Sequence, residues 1–558
     1  MPQIGSAQLT AYLKSLDLDA KQWDLNVEFF NYFLDKKRLK TSIQKIKNKL
    51  FSGNASRDEK MVCKQVLKNS KIFINSIDQA IKNIKIKKIF NADHQYYLII
   101  YVILECLKII STEFYPTHID LYHLGNKKLS FENFNATLKF IGDPTCNPFI
   151  EFFQAHAIGR LKQNPPRIIA FSVNYLSQFA TALTFAKLIK MQFPQIHIVF
   201  GGSYISDISS NILKSRRFFD YVNSYIRKDG ERPLKELIHA LKNRLELDDV
   251  SSLIYAKKNK IIENTIKPPL PINNLPDPDF NDIDFNLYLN PVRVLPVCPS
   301  KGCYWKKCSF CGYKNTFNER NYEEKDIDSF IRTIKKMSAA YKTKHFFFCC
   351  DAISPSFLNR FSKKVIKSKL KIFWTSWMRP ETSLLDKNVI NNIQKAGCRV
   401  LNFGVESANP RIIKIMRKGI NIYSLKEILR NCHMVGIKTI LMLFFGFPGE
   451  KTKDIKITLD FIKSNQKNID KILYGFFILN NKCDVFHCPQ DYNIKIYGAP
   501  HLWHDLRNHA PFINLNSNVR CEESMQLIRS NLPAKYFDDH NKHKIMRGNI
   551  HYFLLNAS

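Results

Sequence analysis

The sequence predicts an α/β chain of two parallel-sheet units: a smaller one in the front half, interrupted by a long helical insertion, and a partial (β/α)6 barrel behind it. Three observations carry this. IIAFSV (168–173), a helical pattern over 178–191 and HIVFGG (197–202) stand in strand, helix, strand order, the right-handed crossover unit of a parallel sheet. Apolar runs at 293–297, 345–349, 371–376, 399–405, 438–445 and 471–478 alternate with helical patterns, giving six strands and five intervening helices. Between the two units lies KPPLPINNLPDPDFNDID (267–284), too rich in Pro, Asp and Asn to hold regular structure for long and predicted to be a linker.

Taken in order, residues 9–24 read as a short amphipathic helix followed by a strand. Residues from about 25 to 159 read as the helical insertion, with apolar spacing near 3.6 at Ile43, Ile46 and Leu50 and again over 98–109. FFDYV (218–222) is expected to extend the first sheet. The domain boundaries that follow are 1–266, a linker at 267–290, the barrel at 291–480 and a small α/β C-terminal region at 481–558. In the barrel, Ile327, Phe330, Ile331, Ile334 and Met337 fall on one helix face. Ser424 with Glu427 reads as a capping box whose helix stops at Gly436. In such barrels chemistry sits at the C-terminal strand ends.

Length and composition narrow the function classes. With 558 residues, 45% hydrophobic, the chain has ample material for buried cores and is neither a disordered tail nor a disulfide scaffold. The best apolar run, Tyr96 to Leu104, is broken by Glu105 and Lys108, so no membrane span is expected. The reading is cytoplasmic, with reduced cysteines that are buried thiols or metal ligands. Of the net charge of +35, the stretch 301–450 carries +17. Such a field attracts nucleic acid, an acidic leader peptide or phosphorylated substrates. No Lys/Arg run with interleaved aromatics marks a nucleic-acid patch, and a Lys-, Asn-, Ile- and Phe-rich composition accounts for a basic solvated surface without a ligand.

The sharpest signal follows the first barrel strand. SKGCYWKKCSFCGY places Cys303, Cys308 and Cys311 on one glycine-flanked loop. A closed zinc site wants four protein ligands, and no second Cys pair or His partner lies nearby. Three thiolates without a fourth suit a 4Fe-4S cluster with one iron open to a small molecule. Cys298, Cys349 and Cys350 lie in or beside strands and read as ordinary buried thiols.

With those residues in view, the sequence resembles the radical S-adenosylmethionine (SAM) enzymes. The commonest family spacing is Cys-x3-Cys-x2-Cys; here it is Cys-x4-Cys-x2-Cys. Phe310 stands between the last two cysteines as an aromatic does in the family. NFGVESANPRIIKIMRKG (402–419) resembles the fourth-strand segment, and MLFFGFPGE (442–450) the fifth-strand turn. The resemblance implies a cluster on Cys303, Cys308 and Cys311, and reductive cleavage of SAM to a 5'-deoxyadenosyl radical. It also implies polar contacts to SAM from Glu406 and Ser407 and backbone approach at Gly446, Phe447, Pro448 and Gly449. Asp351 and Arg379, after the second and third strands, are candidates for SAM or substrate and equally for surface or salt-bridge roles.

The front half resembles the Rossmann-like cobalamin-binding domain attached to a large subgroup of that family, through residues 4–26, IIAFSVNYLSQ (168–178) and IVFGGSYIS (198–206). The resemblance places Ser172, Asn174, Gly201 and Gly202 nearest a corrinoid; for the glycine pair a simple strand-end turn is an equal reading. The Asp-x-His-x-x-Gly motif of many cobalamin proteins is absent, and the sequence starts at the equivalent of the first helix, where the family has a preceding strand. The segments 143–153 and 477–495 resemble ones in members acting on natural products and ribosomal peptides. The function implied is cobalamin-dependent C-methylation of a peptide or natural product, with a flavodoxin or ferredoxin as electron donor. Alternatives are a cobalamin-independent radical SAM oxidoreductase, a tRNA-modifying enzyme, and a non-catalytic iron-sulfur or corrinoid-binding protein. The second would want an N-terminal cysteine trio, whereas Cys63, Cys106 and Cys146 are scattered.

Overall fold

The computed structural model describes residues 1–51, 55–90, 92–313, 321–497, 506–515, 521–532 and 536. Two sheets organise them. The first has five strands, β1 (Ile168–Ser172), β2 (His197–Gly201), β3 (Ser224–Ile226), β4 (Leu253–Lys257) and β5 (Lys260–Glu263), side by side in that order. The β1, β2 and β3 strands run parallel, and β4 and β5 return antiparallel. Alternation along β2 sorts its two faces. Ile198 and Phe200 join the core shared with the insertion, while Val199 joins Leu13, Leu234 and Leu237 on the other side. Helix α1 (Ile4–Lys14) lies on that second face, and no strand follows it before Leu25 among the described residues. The expected strand is missing because Leu16, Leu18 and Ala20 pack singly against the same core as α1, with no neighbouring strand to complete a ladder. FFDYV also departs from expectation. Arg216–Phe219 is a 3-10 turn, and the third strand starts at Ser224.

The insertion is helical as expected: α2 (Leu25–Phe33), α3 (Lys36–Phe51), α4 (Arg57–Asn83) and α5 (Asp93–Glu113), followed by a short hairpin at 117–126. A buried ion network ties it together. The Arg38 guanidinium reaches Glu113 at 2.9 Å and Glu151 at 2.6 Å, and Lys45 Nζ reaches the same two carboxylates at 2.8 and 3.0 Å. Within α5, residues 94–113 are long and apolar enough to cross a membrane by length and composition, so the apolar stretch is longer than sequence reading allowed. More than half of it is buried inside the fold, with Ile99, Ile103, Leu107 and Ile110 turned into the core.

The second sheet is the barrel. Its strands are β6 (Val294–Val297), β7 (His345–Phe348), β8 (Phe373–Met378), β9 (Cys398–Glu406), β10 (Lys438–Phe445) and β11 (Lys471–Phe476), all parallel and in sequence order. Helices between them start at side-chain caps: Asp326 accepts from Ser329 N, Ser354 from Phe357 N, and Asn409 from Arg411 N. For the helix Ile422–Met434 the cap is Asn421, which accepts from Tyr423 and Ser424, rather than the predicted Ser424. Asn421 stands three residues earlier, directly before the first helical residue, where its side chain meets the orphan amides. The linker is no free tether either. Phe280 is fully buried, its amide donates to Tyr341 Oη at 2.8 Å, and Lys14 reaches back to Asp279 at 2.9 Å. The strap therefore packs the front unit onto the barrel.

Gly397 turns the chain into β9 at φ +95°, and a Cβ there would collide with the Ile372 carbonyl beside β8. We expect Gly397→Ala to cost about 2–4 kcal/mol through this collision and the strained φ. Urea unfolding checks it, with Trp374 as the fluorescent reporter, since its indole donates to Ala396 O at 3.0 Å.

Candidate active site

The cysteine loop is bracketed before it is filled. Ser300–Lys301 pairs antiparallel with Glu323–Glu324, closing a ribbon at the C-terminal end of β6. At its entrance Gly302 adopts φ +84° and its amide donates to Asp351 Oδ2 at 3.1 Å, so the carboxylate after β7 orients the chain one residue ahead of Cys303. Tyr304 Oη donates to Glu381 at 3.0 Å. Trp305 Nε1 donates to Arg417 O at 2.9 Å, Ser309 N to Met416 O at 2.9 Å, and Ser309 Oγ to Ile415 O at 3.3 Å. Those three consecutive carbonyls end the short helix Pro410–Ile415 that follows β9, where helical carbonyls have no partner of their own.

The three thiols share this loop and are half-buried. They sit close enough for charge on Cys303 and Cys308 to act on Cys311. Burial raises the Cys308 thiol, while the cations of Lys418 and Arg379 pull it back; burial and its neighbours push Cys311 up to about 11. Among the described residues no three His, Cys, Asp or Glu side chains converge on a single metal ion. A polynuclear cluster, which spreads its thiolates around a larger body, fits a donor set of three sulfurs with two cations beside it.

The strand ends complete the mouth. The β9–β10 register shifts between Gly404 and Glu406, a bulge that leaves Glu406 at φ +67° and re-aims its side chain. Its carboxylate pairs with Lys418 Nζ at 2.8 Å, both groups largely buried. Lys418 also lies 5.6 Å from the Phe310 ring, which meets Phe444 of β10 edge-on at 5.0 Å. Glu406 and Phe310 therefore converge beside the cysteines. Ser407 does not. It is buried, and its hydroxyl is engaged with Thr458 Oγ1 at 3.2 Å and Asn409 N at 3.2 Å. In the β10 turn, Gly446 and Gly449 both have φ +78°, while Phe447 and Pro448 face inward. Arg411 bridges the two turns, donating to Gly449 O at 2.8 Å and pairing with the Asp454 carboxylate.

Arg379, at the end of β8, is 3% exposed. Its Nε donates to Glu381 at 2.7 Å, its guanidinium lies 4.2 Å from the Trp305 ring centre, and its Nη1 and Nη2 have no hydrogen-bond partner among the described residues. A buried cation with orphaned donors is costly unless an anion completes it, and the thiolate site is adjacent. Cys298 donates toward Ser300 O at 3.2 Å and Cys350 contacts Ser376 Oγ at 3.4 Å, while burial holds the Cys349 and Cys350 thiols well above the usual range. Cys350 is buried, as read from sequence, while Cys298 and Cys349 are half-buried.

At the first sheet, Ser172 is exposed and Asn174 links the ends of β1 and β2, donating to Ser172 Oγ at 3.2 Å and accepting from Ser203 N at 3.1 Å. Gly201 and Gly202 separate here. A Cβ on Gly202, at φ +107°, would collide with the Val173 backbone, so the turn itself demands glycine. One on Gly201 would meet Ile226 O at an ordinary 3.7 Å, so the small residue leaves room above the sheet. These strand ends face the barrel mouth. Lys301, in the ribbon, reaches Asp229 at 3.1 Å and Glu231 at 3.4 Å just beyond β3, and Lys482, beyond β11, donates to Ser206 O at 2.7 Å.

Residues 297–462 match the radical SAM superfamily. That segment is a radical SAM domain. Beyond it, the chain is 24% identical over 310 residues to an uncharacterised methyltransferase, PH0819, of Pyrococcus horikoshii, covering 54% of this chain and 65% of that protein. The chain thus spans a little under two thirds of that relative's length. Among solved structures it resembles the radical SAM methyltransferase TsrM from Kitasatospora setae, determined with cobalamin and a [4Fe-4S] cluster, at a TM-score of 0.55 and 13% identity over 69% of this chain and 83% of that one. The cobalamin-dependent radical enzyme OxsB matches equally, at a TM-score of 0.55 and 16% identity over 72% of this chain and 65% of that one. Both likenesses span the front unit as well as the radical SAM domain.

Sequence reasoning missed Lys418, Trp305 and Glu381. Lys418 lay inside the quoted fourth-strand segment without being singled out. The signal for Trp305 was an aromatic inside a cysteine loop, beside a glycine, Gly419, where a Cβ would strike the indole.

Glu450, closing the β10 turn, is fully buried, accepts from Gly446 N at 2.5 Å, and burial raises its carboxyl to about 8. The folded chain thus keeps this proton where the unfolded chain, at 4.5, has lost it. Stability from this group is complete below pH 4.5 and is lost as pH rises through about 8. We expect Glu450→Gln, a fixed neutral mimic, to flatten that fall and to exceed the parent at pH 9 by roughly 2–4 kcal/mol, read from urea midpoints across pH.

Proposed function

We propose that this chain is a radical SAM enzyme of the cobalamin-binding type that methylates an unactivated carbon of a peptide or natural product. The observation that supports it most is the meeting of two parallel sheets by their C-terminal ends, through Lys301 with Asp229 and Glu231, so that a cysteine-loop site and a strand-end nucleotide site share one space. In this reading Cys303, Cys308 and Cys311 hold a [4Fe-4S] cluster, which when bound supplies one electron for cleaving a chelated SAM to a 5'-deoxyadenosyl radical. Cobalamin at Ser172, Asn174 and Gly201 supplies the transferable methyl group.

The chain's own residues do the rest. Asp351 fixes the loop entrance, and the carbonyls of 415–417 fix its middle, so the sulfurs hold their positions without the metal. Lys418 and Arg379 place positive charge beside the thiolates, offsetting the cost of crowding anions in a half-buried site. Glu406, turned by the bulge and held by Lys418, presents a carboxylate that accepts hydrogen bonds from hydroxyl or amino groups of SAM. Gly446 and Gly449 allow backbone approach to its adenine. Phe310, Phe444 and Phe447 keep water from the site, which protects a carbon radical from quenching. An electron donor and a reducing cytoplasmic setting belong to the same proposal.

Two outcomes test it. With anaerobically reconstituted protein, Ala at any one of Cys303, Cys308 or Cys311 should lose iron and the brown chromophore and form no 5'-deoxyadenosine with dithionite and SAM; full iron retention in those variants sinks the cluster assignment. Separately, Gly201→Val should abolish hydroxocobalamin retention after desalting while leaving 5'-deoxyadenosine formation in place, with Gly201→Ala as the folding control. If the parent retains no corrinoid, the cobalamin-independent oxidoreductase is the better reading.

A further inference from the structure

On the outer side of the cysteine loop lies an open depression of about 830 Å³. Among the described residues, its lining carries Lys306, Lys307, Lys414 and Arg417 against the one carboxylate of Asp484, which Arg417 approaches at 3.7 Å. Its floor is apolar, with Ile413, Ile420 and Ile422, and Tyr423 stands exposed at the edge. An apolar floor with a charged rim is the anatomy of a protein-binding patch.

The loop itself builds one wall. Trp305, Lys306 and Lys307 all line the depression and all lie in the four-residue span between Cys303 and Cys308, with Lys306 at φ +53°. That span is one residue longer than the commonest family spacing, and the longer span gives the loop room to bulge outward and carry two lysines to the surface. Trp305 then connects outside to inside. One part of its indole lines the depression, its Nε1 is fixed on Arg417 O, and the buried Arg379 guanidinium lies over its ring.

Resting on the cluster reading above, we propose that this depression is where an acidic one-electron carrier protein docks to reduce the cluster. The carrier loses one electron and the cluster gains it; no bond is made or broken. Electron transfer weakens steeply with distance, so a donor must seat against the cysteine loop, and this face offers charge complementarity directly over it. Nucleic acid is the less suited occupant. The aromatic ring nearest the loop already carries Arg379 and Lys307 cations, at 4.2 and 5.1 Å, and is held edge-on by Gly419, so its face is not free to stack a base.

The test uses the full chain, reconstituted with iron and sulfide, and follows bleaching of its visible absorbance after mixing with flavodoxin in its fully reduced form or with dithionite. Lys307→Glu/Lys414→Glu, with unchanged iron content, should slow flavodoxin-driven reduction about tenfold or more at low salt, shift dithionite-driven reduction less than about twofold, and lose the parent's salt dependence. Equal flavodoxin rates in parent and variant overturn the proposal, and so does a parallel loss with both reductants. Competition by bulk tRNA that the variant abolishes, with flavodoxin rates unchanged, assigns the face to nucleic acid instead. The readout is cluster reduction, so a parent that bleaches with flavodoxin yet forms no 5'-deoxyadenosine would sink the SAM chemistry and leave the docking site standing.

Discussion

The end of a six-residue helix sets the geometry of the site. Pro410–Ile415 is too short to satisfy its own carbonyls, and the cysteine loop supplies the missing donors from Ser309 and Trp305. Each partner orders the other: the loop has no internal ladder between its cysteines, and its donors meet the carbonyls at the helix end, each such bond contributing about 1 kcal/mol. Their mutual satisfaction holds three sulfurs in register with β9. It also carries Lys418, the residue next after the pinned carbonyls, to Glu406 and the thiols.

From that anchor the remaining features follow in layers. The Glu323–Glu324 ribbon closes the loop's far end, and the same ribbon carries Lys301 across to the front unit. The turns after β9 and β10 are bound to each other through Asp454, Asn409 and Arg411. The proposed radical chemistry would need such rigidity, because a loose site admits water and stray hydrogen donors. The front sheet meets this mouth with its strand ends and not with a face.

Much of this was legible in the sequence. The six barrel strands appear within two residues of their expected bounds, since a parallel strand buried on both faces is an apolar run whose length and flanks are local properties. The cysteine spacing marked the candidate site for a similar reason: thiol chemistry is carried by residue type. The Ser424 cap was misread locally, since Asn421, three residues earlier, caps the helix. Other partners are distant in sequence: the Ser407 hydroxyl meets that of Thr458, 51 residues on. The 267–290 segment has linker composition, yet Phe280 and Asp279 are held by residues from both units.

The sequence alone determined the six barrel strands and the helical insertion, because periodicity and apolar runs act over a few residues, and it determined which atoms are available to bind a cluster. Only the tertiary structure decided that Glu406 pairs with Lys418, that Arg379 ends buried over Trp305 with two open nitrogens, and that the two sheets meet by their strand ends. Those are contacts between groups brought together by packing. Their energies depend on burial and direction, which a linear order of residues does not contain.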